Sequence, residues 1–336
     1  STLLQQQRDS AGHPAVMTLG VVLEVPDGAR IAAADGSAYH AITLQDARFV
    51  DVRVAMRDGI EAGVFVPQLH GQCHYWPPAV MAAAQHIPAV RDWLMNPELA
   101  VTEDLPSHLQ SRWVDASELP SRALAPDVIR QAIDTEAATY QAVFKHAPQV
   151  AVATTFVWND TVETAWRKVG VEAVITPGHR ATCRNAAGQP ACRDARMLTG
   201  ERSPAGPCYL VRDVYFEPAL GHTSQHLLAG LRARTQQGRA CLVEMHRFNF
   251  LHAPAASLTT LETALRDARA AYPNLRFISP LELAQAITQR NPAWIETRFK
   301  PRLVAWCARL NEIPRFRRLA RLTGLALPLA WLGRPA

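Results

Sequence analysis

The chain has 336 residues, 48% of them hydrophobic, and a formal net charge of +5. That is enough apolar material for one large α/β domain or two small ones, with no apolar run of membrane-spanning length. Residues 298–336 hold nine Lys and Arg against one Glu, a net +8 that leaves −3 on residues 1–297, so the basic character of the whole chain is no argument for a nucleic-acid partner. Neither GxGxxG, GxxxxGK[ST] nor GxSxG occurs, which argues against a glycine-rich phosphate cradle and a serine-nucleophile elbow. Six cysteines form no CxxC pair, so a Cys-rich zinc site is not expected. The opening STLLQQQRDSAG lacks a basic-then-apolar signal pattern and reads as the end of a helix. A reducing, cytoplasmic setting is the default, and Cys183 and Cys192, flanking a Gly-Gln-Pro turn, could form a disulfide, with free thiols the leading expectation.

In chain order, AVMTLGVVLEV (15–25) and GVFVPQL (63–69) are predicted strands, followed by a loop-rich stretch with Pro77, Pro78 and Pro106. Apolar residues at 129, 132, 133, 137, 140, 143 and 144 predict one buried face of a helix over 128–144. Residues 149–158 read as a strand, 159–170 as a short helix stopped by glycine, and 171–178 as a strand. Residues 179–207 read as irregular, and 208–218 as extended. Then come a helix (226–238), a strand (240–246), a helix (258–273) and a last strand, LRFIS (275–279). The helix after it opens Ser279-Pro280-Leu281-Glu282, an N-cap with proline at N1 and glutamate at N3. This alternation predicts parallel strands with crossover helices. Seven candidate strands with ends rich in His, Trp, Asn and Glu suggest a barrel over residues 1–297, with its chemistry at the C-terminal strand ends.

His70 and His74 lie four apart at such an end, and two imidazoles at that spacing can converge on one divalent cation, zinc first among them. His222 and His226 form a second pair with the same spacing, which also runs into a helix. His246 ends a strongly apolar strand beside Arg247 and Asn249, which are candidate substrate contacts. Phe156, Trp158, Asn159 and Asp160 end another strand. Asp160 with Glu163 reads chiefly as a capping box and only weakly as a catalytic acid. Trp158 is either an aromatic wall for a sugar or simply core, and Trp76 is a further candidate substrate contact. Glu217 in YFEP is a strand-end carboxylate with no evident capping role, hence a candidate acid or ligand.

The order of PQLHGQCH, TTFVWNDTVETAWRKVGVEAVITPG, VYFEP and VEMHRFNF, then YPNLRFISPLEL, resembles the polysaccharide deacetylase (NodB-like) superfamily, and within it a deacetylase-like group of bacterial glycan loci. The likeness runs over roughly residues 12–290. It implies a distorted (β/α)7–8 barrel of TIM type that removes acetyl groups from sugars with a divalent metal. His70 and His74 would match its metal pair and His246 its general acid. The superfamily's first-strand Asp-Asp pair has no counterpart in this chain. AVMTLGVVL aligns with the second strand, so the first is expected upstream of Ser1, and Asp9 is a poor substitute. Thr154-Thr155-Phe156 stands where an Arg-Pro-Pro motif is usual.

The C-terminal segment differs from the rest. Leu303, Trp306, Cys307 and Leu310 follow helical spacing, and beyond Pro314 arginines alternate with Phe316, Leu319, Leu325, Leu329 and Trp331. This describes either an interfacial binder of an anionic membrane, which would make the protein peripheral on the inner face, or a terminal helix packed on the barrel. The leading reading is thus a metal-dependent carbohydrate deacetylase-like hydrolase acting on acetylated sugars of a polysaccharide or lipid-linked glycan. An inactive glycan-binding or scaffold protein on the same barrel is the second. A glycoside hydrolase using Glu217 with Glu244 or Asp160 is the third.

Overall fold

The computed structural model describes residues 1–212, 214–251 and 253–333; Arg334 of the basic tail lies outside them. The chain divides into two compact units. The first comprises Ser1 and residues 16–211 and 278–284; the second comprises residues 2–15, 212–277 and 285 onward.

The first unit is mixed α/β around a five-stranded parallel sheet of Met17–Val21 (β1), Phe65–Leu69 (β2), Val150–Val152 (β3), Ala173–Thr176 (β4) and Cys208–Val211 (β5), in that spatial order. Every residue of β3, β4 and β5 is buried, as expected of parallel strands covered on both faces, which read as continuous apolar runs. The sheet is open, and the described strands close no barrel. Helices Val50–Glu61 (α1), Pro77–Ala84 (α2), Pro88–Leu94 (α3), Pro126–Phe144 (α4) and Asp160–Lys168 (α5) belong to this unit. Ile129, Ile133 and Tyr140 of α4 and Val162 and Trp166 of α5 share one core with Leu69, Ala151 and Val174. Each such side chain contributes roughly 1.5–3 kcal/mol by leaving water.

Several expectations are corrected. The proline-rich stretch after β2 is not a loop. Pro77 and Pro88 begin α2 and α3 in their first turns, where a missing N–H costs no hydrogen bond and the fixed φ suits a helix. The strand expected over 149–158 stops at Val152, because Thr155 and Phe156 take left-handed φ values of 50° and 56°. Cys183 and Cys192 are joined in a disulfide rather than free. Cys183 opposite Ala191 belongs to a small antiparallel pair, Cys183–Arg184 with Pro190–Ala191, and Cys192 follows directly, its Cα 5.8 Å from that of Cys183.

In the second unit a short parallel pair, Val214–Tyr215 (β6) and Val243–Glu244 (β7), lies with helices Ser224–Gln236 (α6) and Pro254–Ala271 (α7). LRFIS forms no strand. The Phe277 N–H donates to Asp9 Oδ2 (3.0 Å) and the Leu275 carbonyl accepts from Ser10 N–H (3.0 Å), so this backbone is bound to a loop instead of a ladder. Burial alone would raise the Asp9 carboxyl; the N–H groups of Phe277, His13 and Ala11 and the nearby Arg276 hold it below its ordinary value. Asp9 is thus a structural clasp.

The helix Pro280–Gln289 (α8) opens with the expected capping box: Ser279 N–H donates to Glu282 Oε2 (2.9 Å) and Glu282 N–H to Ser279 Oγ (3.3 Å). Phe299–Ala308 (α9), Pro314–Leu322 (α10) and Ala326–Leu332 (α11) end the described chain. No helix among the described residues is long and apolar enough to cross a membrane.

Candidate functional site

The parallel register aligns the C-terminal ends of β1, β2 and β3, so residues just past them share one edge of the first unit's sheet. Ligand sites in open α/β sheets gather at such edges. His70 is the first residue beyond β2: its N–H donates to the Val21 carbonyl (3.1 Å) and its Nδ1 faces the Val152 carbonyl at 2.9 Å. A carbonyl only accepts, so Nδ1 carries a proton, and in the neutral ring the lone pair lies on Nε2. The chain then turns through Gly71 at φ +94°, where a Cβ would come 2.9 Å from Arg112 Cδ. That turn returns His74 to a ring-to-ring distance of 4.9 Å from His70, the planes inclined at 72°.

A buried polar network holds this loop. Glu136 Oε2 accepts from Gln72 N–H (3.0 Å) and Arg112 Nε (3.1 Å), and its Oε1 from Trp166 Nε1 (3.3 Å). Arg112 also donates to Cys73 Sγ (3.2 Å) and the Tyr75 carbonyl (3.4 Å). Burial pushes the Cys73 thiol up to about 12. The free thiol is therefore protonated, and no activated nucleophile, at neutral pH.

The strand-end aromatics and acids of this unit are structural. Trp158 is wholly buried and donates through Nε1 to Glu163 Oε1 (2.7 Å), so no ring face is open to a sugar. Asp160 does not cap α5. The N-cap is Asn159, whose Oδ1 accepts from Val162 N–H (3.2 Å), while Asp160 pairs with Arg180. Glu163 is buried, taking hydrogen bonds from Arg180, Ser203 and Tyr209 as well. Trp76 is partly exposed at the entry to α2.

In the second unit the parallel β6–β7 pair brings Glu217 and Glu244 around His246. His246 Nδ1 lies 2.6 Å from Glu217 Oε1 and its Nε2 3.2 Å from Glu244 Oε1. Both carboxylates are buried, while the His246 side chain is about half exposed at 49%. The contact with Glu244 at Nε2 raises the imidazole, burial opposes it, and Glu217 adds to the rise, setting it at about 9. Further contacts position the carboxylates. Glu217 Oε2 accepts from His246 N–H (3.2 Å) and from Asn249 Nδ2, whose Oδ1 accepts from Ala219 N–H (3.0 Å). Arg212 Nη2 stands 2.7 Å from Glu244 Oε1. Asn249 is thus a positioning residue rather than a substrate contact, and Arg247 is exposed beside it. The imidazole fills the gap between Glu217 and Glu244, so no glycosidic bond can lie between these two carboxylates.

The expected metal chemistry was tested against the side chains present. A catalytic zinc takes three protein donors and a structural one four. Among the described residues no group of three or more His, Cys, Asp or Glu side chains is placed to hold an ion. His70 and His74 supply two donors, which does not fit a tightly held metal. The alternative pair fits worse. His222 Nδ1 already accepts from Glu217 N–H (3.0 Å), and the His222 and His226 rings stack nearly parallel (11°, 3.9 Å), which keeps their lone pairs from converging. After dialysis the purified chain is expected to retain less than one equivalent of zinc by elemental analysis. A full equivalent, lost in His70→Ala, would show that a further donor joins the pair.

No family model matches the chain, and comparison with curated proteins finds no match either.

Two features of these sites had a sequence signal that went unused. Glu136 is a charged residue inside the apolar stripe of α4, a position that requires a buried partner. Arg180 follows β4 within reach of three acids, but that convergence depends on loops whose course the sequence pattern does not give.

Proposed function

We propose that the protein is a carbohydrate deacetylase-like hydrolase in which His246 delivers the proton to the leaving group. The observation that carries this reading is the clamp of His246 between Glu217 and Glu244. An imidazole titrating near 9 is an imidazolium at neutral pH, and the half-exposed ring can pass the Nε2–H that it holds against Glu244 to a substrate that displaces this contact. In the reaction, water adds to the acetyl carbonyl carbon and the C–N or C–O bond breaks. The Nε2 proton goes to the departing nitrogen or oxygen, and the proton that water gives up on becoming part of the acetate recharges the imidazole through solvent, leaving acetate and the free amine or alcohol.

Resemblance in motif order supports the choice of acetylated glycan as substrate class. The five parallel strands rising in chain order support a deformed TIM-type barrel as the parent architecture. An incomplete donor set at His70 and His74 favours a second reading, a glycan-binding protein that does not hydrolyse. Incubation with acetylated chito-oligosaccharides and O-acetylated sugars, with enzymatic detection of acetate, separates the two. Hydrolysis is expected in the parent chain and its loss in His246→Gln. Saturable oligosaccharide binding with no acetate from any substrate would replace the first reading by the second.

A further inference from the structure

We propose that α10 and α11, in the second unit, form a docking surface for an anionic lipid bilayer. This goes beyond the hydrolase reading and does not depend on it.

Arg315, Arg317, Arg318 and Arg321 are all exposed on α10. None forms an ion pair among the described residues; the single acid nearby, Glu312, is buried and engaged with Arg239 (2.6 Å) and Arg309 (3.0 Å). Large apolar side chains stand in solvent on the same two helices, among them Leu322 (77% exposed), Leu327 (83%) and Trp331 (69%). Phe316 packs against Trp306, the ring centroids 4.3 Å apart, and Ala320 is buried, so α10 is fixed by one face while Leu319 and Leu322 project outward. Arg317 and Arg321 also border a cavity of about 470 Å³ whose wall includes Leu310 and Leu327. Basic and apolar surface therefore meet there directly.

An apolar surface of this kind needs a cover, and its charge selects which. A second copy would bring a second set of arginines, whereas an anionic bilayer neutralises them and takes up the leucines and tryptophan at the depth where interfacial helices lie. Neither helix is long enough to span, so the contact is peripheral.

Sedimentation of the full chain with phosphatidylcholine vesicles, with and without phosphatidylglycerol, tests this. Binding is expected only with phosphatidylglycerol present and should weaken as salt rises. Each arginine contributes about fivefold to partitioning, so changing Arg315, Arg317, Arg318 and Arg321 to Gln should reduce it more than a hundredfold. Leu327→Glu with Trp331→Glu should abolish it. These side chains are exposed, so an unchanged melting temperature is the expected control. Equal binding to both vesicle types, no binding, or variants that bind like the parent would overturn the proposal. So would a dimer that Leu327→Glu dissociates, which would make a second copy the cover.

Discussion

A Glu136→Ala chain is expected to lose roughly 3–5 kcal/mol of stability, the range for breaking a buried ion pair from one side. The carboxylate is wholly enclosed and serves the Gln72 N–H, the Arg112 guanidinium and the Trp166 indole together. Its removal leaves the Arg112 charge buried with no carboxylate in hydrogen-bond contact among the described residues, its side chain donating to the Cys73 sulfur and the Tyr75 carbonyl. It also orphans a backbone donor in the loop that carries His70 and His74. Urea unfolding measures the loss, and the pairing is checked by a double-mutant cycle with Arg112→Met and Glu136→Leu. Because an apolar pair of similar volume often replaces a buried ion pair without penalty, the double change is expected to be less destabilising than Glu136→Ala alone. A double change that costs the sum of the two single ones would show that the residues act independently.

The parallel sheet is legible because strands covered on both faces carry their own signature: Val-Ala-Val, Ala-Val-Ile-Thr and Cys-Tyr-Leu-Val are apolar but for the closing Thr176 and the Tyr209 hydroxyl. The long helix α4 and the Ser279–Glu282 box were legible for the same reason, since spacing within one element decides them. Errors arose where a residue's effect depends on its position. Proline was read as a loop signal although at Pro77 and Pro88 it starts helices. LRFIS has strand composition, but its backbone partner is the Asp9 carboxylate, from a distant loop.

The sites follow the same division. His246 and Glu217 stood out as polar residues at strand ends. Their mutual placement depends on the β6–β7 register, Val214 beside Val243, which no local pattern encodes. Alternation did put Glu244 and His246 on one side, and the 3.2 Å contact agrees. Trp158 shows the opposite case: an aromatic at a strand end suggested a sugar wall, but the buried Glu163 beside it makes the indole part of the core.

The basic limb of the pH–rate profile for acetate release is expected near 9 rather than near the ordinary histidine value of about 6.5. His246 acts as an acid only while protonated, and the carboxylates at Nε2 and Nδ1 stabilise that form. Glu217→Gln keeps a group of similar shape against Nδ1 but removes the charge 2.6 Å away, so the limb should move downward. At neutral pH the rate should fall only about fourfold at most, since a return to about 6.5 still leaves roughly a quarter of the rings protonated, whereas His246→Gln forfeits the whole contribution of a positioned acid, roughly 10²–10⁴-fold. Histidine titration by NMR gives the same quantity without turnover, and the His246 resonance should shift down in Glu217→Gln by as much as the kinetic limb does. Stability follows with a defined sign. A folded value above the unfolded one means that the contribution is present in full below about 6.5 and is lost as pH rises through about 9. Glu217→Gln should therefore flatten the pH dependence of the melting temperature across that window. A limb and a resonance that both stay put would mean that Glu217 orients the ring without setting its charge, leaving Glu244 as the controlling partner.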